Sequence, residues 1–214
     1  MPTWFSGLMD WPVAYNIFHG FVSGKKEWYL RQELQRRQHA EPLKVIDVGC
    51  GPGTNARLFQ DKTRFDYLGL DINPDYIRQA VRKYRLAFEC ADITHGWNPG
   101  KRFDVVLINS VLHHLSDTEA AAVLSAAADC LDPAGRCLVM DMIYPDIRTI
   151  FNSVRRILIR LDRGKFCRRA AQLESLLTSN FRYQRVEIFY LKPFFIPLWE
   201  MRLYVCTSGP TELS

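Results

Sequence analysis

Three acidic residues stand where a short apolar run gives way to a loop: Asp47, Asp71 and Asp92. Around the first, Asp47-Val-Gly49-Cys50-Gly51-Pro-Gly53 places three glycines within seven residues, directly after an apolar run and directly before a helical pattern. In an open parallel sheet, ligands bind at the carboxyl ends of the strands, and a glycine turn there lets the backbone approach closely. A dinucleotide site needs a third glycine at position 54, which is Thr54, and Pro52 removes one of the N–H groups that a pyrophosphate would use. The spacing favours a nucleoside ligand that carries no pyrophosphate.

S-adenosylmethionine (SAM) is such a ligand, because its adenosine ends in a sulfonium and an amino acid. The ammonium needs acceptors, and Asp47 offers negative charge directly or through water. Asp71 lies 24 residues further on, at the end of the second apolar run, where a carboxylate can accept from both ribose hydroxyls. Asp92 is placed to accept from the adenine amino group, with Ile72 and Ile93 packing on the ring faces. Gly49, Cys50, Gly51, Gly53 and Asn55 complete the loop, and Asn109 and Ser110 would reach the methionine portion. Transfer of a methyl group from sulfonium is an in-line displacement, so the acceptor must sit about 3 Å from the methyl carbon. A hydroxyl or protonated amine also needs a base; His113 and His114 follow the fourth apolar run, next to where the methyl should lie. Asp141 and Tyr144, at the end of the fifth, are the other polar groups expected there.

The elements that must hold these residues read as strands alternating with helices, the pattern of a parallel sheet covered on both faces. Strands are expected at 44–49, 65–72, 86–90, 103–108 and 136–143. A helix is expected from about Asn55 to Lys62, and another starts at Pro74 with Asn73 as cap and Tyr76, Ile77, Ala80 and Val81 on one face. Ser116 and Glu119 have capping-box spacing ahead of an alanine-rich helix running to Leu131 and ended by Pro133 and Gly135. A helix from Ala170 to Ser179 precedes strands at 183–191 and 199–207. The link between these two is too short for a helical crossover, so one runs antiparallel.

Taken in order, D-V-G-C-G-P-G, L-D-I at 70–72, A-D-I at 91–93 and V-L-H-H-L at 111–115 resemble the successive motifs of class I SAM-dependent methyltransferases over about residues 43–143. The remainder resembles a small-molecule subgroup of that family, with a helical N-terminal cover and the segment Leu161-Asp-Arg-Gly164. The resemblance implies one Rossmann-like, doubly wound α/β domain with a mostly parallel seven-stranded sheet and an antiparallel C-terminal hairpin. It divides the chain into an N-terminal lid (1–40), the SAM-binding core (43–143), an acceptor-side lid (144–169) and a C-terminal helix and hairpin (170–214). It also singles out His113 of the two histidines as the residue facing the acceptor, and implies SAM as methyl donor with S-adenosylhomocysteine as product. Tyr15, in the N-terminal lid, joins the expected cofactor contacts.

Both lids are apolar on one side. Ile147, Ile150, Phe151, Val154, Ile157, Leu158 and Leu161 fall at helical spacing, and eight aromatics occur within the first 29 residues. Such elements exclude water from a transfer step. Between Asp146 and Arg169 eight Lys/Arg face two Asp, against a formal charge of only +5 for the chain. Three readings explain the excess: a solvated outer face, a clamp for an anionic acceptor using Arg163 and Arg168, or peripheral contact with anionic lipid.

The length of 214 residues suits one domain. The six cysteines show neither C-x-x-C pairing nor zinc spacing, so no metal site is expected and they read as buried thiols of a cytoplasmic protein. No separate recognition module for nucleic acid is visible. The expected partner is a small-molecule acceptor, apolar or anionic, and the expected assembly is a monomer or homodimer. The competing reading is a SAM-binding sensor or scaffold that has lost transfer. An NAD-dependent oxidoreductase would need a glycine at position 54 and a Tyr/Lys catalytic set.

Overall fold

The computed structural model describes residues 12–36, 41–145, 156, 165–191 and 199–209, with side chains from Gly24 onward. The expected lid helix from Ile147 to Leu161, Arg163, the aromatics of the first 11 residues and the side chain of Tyr15 lie outside the described residues, apart from Arg156.

Seven strands form one sheet: β1 (Leu43–Val48), β2 (Phe65–Asp71), β3 (Ala87–Cys90), β4 (Phe103–Asn109), β5 (Leu131–Ile143), β6 (Phe181–Leu191) and β7 (Trp199–Ser208). Their spatial order is β3-β2-β1-β4-β5-β7-β6. The first five pair in parallel, and β7 runs antiparallel to both β5 and β6, as the short link between the last two strands requires.

The central strands are apolar at nearly every position because both faces are covered. Ile46, Val106, Ile108 and Val139 face a core that includes residues of α3 (Asp117–Cys130) and α4 (Ala170–Thr178). Their neighbours Val45, Val105, Leu107 and Leu138 face the other core, with Leu30 and Leu34 of α1 (Pro12–Gln35) and Ala56, Leu58 and Phe59. α1 is fastened at its C-terminal end by Glu33, a buried carboxylate that pairs with Arg36 at 3.0 Å and with Arg185, while Tyr29 stacks on Phe189 with ring centroids 4.3 Å apart. The same helix then carries Lys26 to the strand ends, where its ammonium donates to Ser110.

Local chemistry explains where the elements begin and stop. Asn73 caps α2 (Pro74–Lys83) by accepting from the Asp75 amide at 2.9 Å, and Ser116 and Glu119 form the expected reciprocal cap of α3. The helix expected from Asn55 to Lys62 is only a 3-10 turn, Ala56–Phe59. The Asn55 side chain is spent elsewhere rather than on capping, and Asp61 folds back to accept from the amide and hydroxyl of Thr63, an alternative to continuing the helix. On α2, Ile77 and Ala80 are buried whereas Tyr76 and Val81 are exposed, because the helix covers the sheet with a single narrow stripe. β5 starts at Leu131, earlier than expected: Leu131 pairs with Phe103, and a register break before Val105 and Arg136 accommodates Pro133. Cys50, Cys130, Cys137 and Cys206 are buried as expected, but Cys90 is exposed and Cys167 half-buried, since each sits at the margin of the sheet rather than within it.

Candidate active site

The chain winds from β1 outward to β3, then returns to β4 on the other side of β1. The crevice of such a sheet lies beyond the carboxyl ends of the two strands at that reversal. Here it is bounded by the loop after β1, which contains Asp47 to Asn55, and by the segment after β4, which contains Asn109 to His114.

Asp47 occupies a core position of β1 and is 0% exposed. Asn55 Nδ2 donates to both of its oxygens at 3.2 Å, and the Tyr67 hydroxyl donates to Oδ2 at 3.0 Å. Burial, outweighing these hydrogen bonds and helped by the charge of Asp71, raises the Asp47 pKa to about 7. A chain of side-chain hydrogen bonds leads away from it: Asn109 Nδ2 donates to Asn55 Oδ1 at 2.8 Å, Ser110 Oγ donates to Asn109 Oδ1 at 3.1 Å, and Lys26 Nζ donates to Ser110 Oγ at 2.6 Å. Ser110 is held at φ 61, a left-handed conformation unusual for a residue with a side chain, which turns the chain sharply out of β4.

The glycine loop is ordered from below. The Gly49 and Cys50 amides both donate to Leu70 O, at 2.8 and 3.0 Å, and the Gly51 amide donates to Asp71 Oδ2 at 2.8 Å. Gly49 has φ 70, and a Cβ there would lie 2.5 Å from Val111 Cγ2, so the loop after β1 and the segment after β4 are in direct contact. Gly51 and Gly53 are also left-handed, and the Cys50 thiol is buried against the Gly51 carbonyl. Asp71 additionally accepts from the Asn73 amide at 2.8 Å. Asp92 accepts from the Thr94 amide and hydroxyl at 2.8 and 2.7 Å and pairs with the His95 ring; the Thr94 hydroxyl above all holds its carboxyl below the usual range. Ile93 is buried and Ile72 is 69% exposed.

Across the crevice, Leu112–His114 forms a 3-10 turn. His113 is 7% exposed, and its Nδ1 lies 2.5 Å from Asp141 Oδ1 while its backbone amide donates to Asp141 Oδ2 at 3.0 Å. Burial alone would raise the Asp141 carboxyl, but the charge and hydrogen bond of His113, the Met142 amide and the charge of Lys26 together hold it below its usual range. His114 is exposed, its ring tilted against that of His113 with centroids 4.0 Å apart. Tyr144 is half-buried beneath the Arg156 guanidinium, which lies 5.5 Å from its ring centroid and donates to Pro145 O at 2.9 Å, so Arg156 packs on the Tyr144 ring while staying partly exposed.

Arg168 corrects an expectation. Far from being an open clamp for an anionic acceptor, it is 6% exposed and donates to Leu112 O, Leu115 O and Asp117 Oδ1 at 2.6, 2.7 and 2.8 Å. Its three nitrogens are committed to the protein. Tyr67, Lys26 and this role of Arg168 were missed in sequence. For Tyr67 the available signal was its position on β2 opposite Val45 in the parallel register, which brings its face toward Asp47. Among the described residues, no group of three or more His, Cys, Asp or Glu could hold a metal ion, and no helix is long and apolar enough to cross a membrane.

Residues 45–135 match the family described as "Methyltransferase domain". A trans-aconitate 2-methyltransferase of Methylobacterium nodulans is 36% identical over 111 residues, covering 51% of this chain and 42% of that protein. Phosphoethanolamine N-methyltransferase 1 of Arabidopsis thaliana is 27% identical over 141 residues, covering 64% of this chain and 28% of that protein. The chain spans about half the length of the first curated relatives it matches. In fold, the structure is similar to magnesium protoporphyrin IX methyltransferase from Synechocystis PCC 6803 with bound SAM, with a TM-score of 0.67 at 18% identity over 97% of this chain and 92% of that one. Sheet order, glycine loop and strand-end acids agree with these likenesses: residues 45–135 are similar to a methyltransferase domain, set in a sheet of the same fold as the solved methyltransferase.

Proposed function

We propose that this protein binds SAM in the crevice between β1 and β4 and transfers its methyl group to an O, N or C atom of a small molecule, with His113 as the base. The observation that carries the base assignment is the buried His113–Asp141 pair at the tip of β5, across from the glycine loop.

The residues of the crevice fit the methyl donor. Both hydrogen-bond partners of Asp47 are neutral, and a buried acid in that setting gains from a nearby cation, which the donor's ammonium would supply. Asp71 and Asp92 keep lone pairs beyond those used by the backbone, Thr94 and His95, and Ile93 offers an apolar wall. When bound, SAM contributes a methyl group activated by sulfonium.

The chain's own residues do the rest. An ionised Asp141 accepts from Nδ1 of His113, which fixes the tautomer with the basic lone pair on Nε2. His113 then takes the proton of the acceptor as its nucleophilic atom attacks the methyl, and Asp141 stabilises the imidazolium that forms. Lys26, Ser110 and Asn109 tie α1 to the crevice and hold its wall in place. We place the reaction in the cytosol, where the thiols packed into the core as Cys50, Cys130, Cys137 and Cys206 stay reduced. Relatives named for a tricarboxylate and for an amino alcohol phosphate support a small-molecule acceptor. The test is incubation of the protein and a metabolite extract with methyl-labelled SAM: label should move to a small molecule, and release of S-adenosylhomocysteine without any labelled acceptor would defeat the proposal.

A further inference from the structure

We propose that Arg168 is a positioning residue that sets the geometry of the His113–Asp141 pair by joining the two segments that carry it; this rests on the dyad reading above. The backbone of Arg168 is attached to the strand of Asp141. Arg168 forms a parallel bridge with Ile143, two residues past Asp141, and its carbonyl accepts from the Tyr144 amide at 2.7 Å. Its side chain reaches the other segment. The guanidinium grips the carbonyls of Leu112 and Leu115, which flank His113 and His114 in the 3-10 turn, and anchors on Asp117 at the start of α3. Two residues before Arg168, the Phe166 amide donates to the carbonyl of His113 itself at 3.0 Å.

One residue therefore spans both halves of the dyad, by main chain on one side and by side chain on the other. A 3-10 turn of three residues has little stability of its own, and its terminal carbonyls need donors. A planar guanidinium supplies three directed N–H groups from a fixed fork, which an ammonium on a flexible stem cannot reproduce.

The full chain, saturated with S-adenosylhomocysteine and labelled in its imidazole nitrogens, tests this by NMR without any acceptor. Asp141 from β5 bonds the His113 ring and the His114 ring lies against it, while Lys26 from α1 acts on Asp141 through its charge and Arg168, paired with Asp117, holds the Leu112 carbonyl beside it. The wild-type protein should show a His113 Nδ1 proton protected from solvent exchange and lost in Asp141→Asn. In Arg168→Lys that proton should exchange at least tenfold faster, and the Asp141 carboxyl should titrate closer to the ordinary carboxylate range. Should Arg168→Lys fail to fold, Asp117→Asn serves instead: Asp117 is 79% exposed, and releasing it should give a smaller acceleration, about threefold. A residue of purely structural importance would lower Tm yet leave this proton's exchange unchanged. A protected proton that is unaltered in both variants overturns the positioning role and leaves the dyad standing; absence of a protected proton in the wild type overturns the dyad and the positioning role with it.

Discussion

On the reading proposed above, the donor side of the crevice and the acceptor side differ in how far along the chain their polar contacts reach. At the ends of β1, β2 and β3, each acid is satisfied by groups close in sequence or on the next strand: Asp71 by the amides of Gly51 and Asn73, Asp92 by Thr94 and His95. At the ends of β4 and β5, the polar contacts span long stretches of chain. His113 meets Asp141 28 residues away, and Arg168 reaches back 56 residues to Leu112. A surface that must fit one invariant ligand can be encoded locally. The proposed acceptor side depends on the packing of segments distant in sequence.

The comparison breaks most sharply at His113. His113→Gln should lower methyl transfer roughly 10²- to 10⁴-fold, the usual contribution of a general base, while SAM affinity changes less than about threefold. Transfer to a labelled acceptor, measured beside calorimetric binding, checks both; an equal loss of both would mean the two sides are not separable.

The glycine loop provides the next contrast. In Gly49→Ala the new Cβ meets Val111 at 2.5 Å in a left-handed conformation, for a cost of roughly 2–4 kcal/mol. Gly51→Ala, with no atom within 4 Å of the new Cβ, should cost about 1 kcal/mol. Denaturant unfolding of the two variants ranks them, and equal costs would mean that the close approach of Gly49 to Val111 does not constrain the loop.

Asp47 trades stability for binding. Its folded pKa of about 7 lies above the ordinary 3.8, so its contribution to stability is complete below about pH 4 and is lost as pH rises through 7. Asp47→Asn should therefore raise Tm of the ligand-free protein at pH 8 by roughly 5–10 °C while weakening SAM binding about tenfold or more. Thermal melts at pH 5 and pH 8 test the sign: the variant's advantage must grow with pH.

The strand-end positions of the glycine turn and of Asp47, Asp71 and Asp92 were legible because apolar runs of strand length alternate with helical ones. The parallel sheet follows from that alternation and the antiparallel closing hairpin from the short link between β6 and β7, whereas the doubly wound order was implied by the family resemblance. Legibility ended where side chains act across distance. Tyr67 reads as a strand aromatic until the register of β1 with β2 sets it beside Asp47, and Arg168 reads as a free cation until the 3-10 turn supplies carbonyls for it. The short turn at Ala56–Phe59 escaped for a related reason: Asn55 answers to Asp47 and Asn109, a tertiary demand that overrides local helix propensity.

The smallest effect is expected at Ile72. It is 69% exposed, so Ile72→Ala should leave Tm within about 1 °C and reduce SAM affinity less than tenfold, about 1 kcal/mol. A large loss of stability there would show that the donor side is not assembled as described.

Calorimetric titration of the purified full chain with SAM at pH 6 and pH 8 addresses the central claim most directly. One molecule should bind per chain, more tightly at pH 8, where Asp47 is ionised more readily and can face the ammonium. Neither heat nor a rise in Tm at either pH, from folded protein, would contradict the assignment of the crevice.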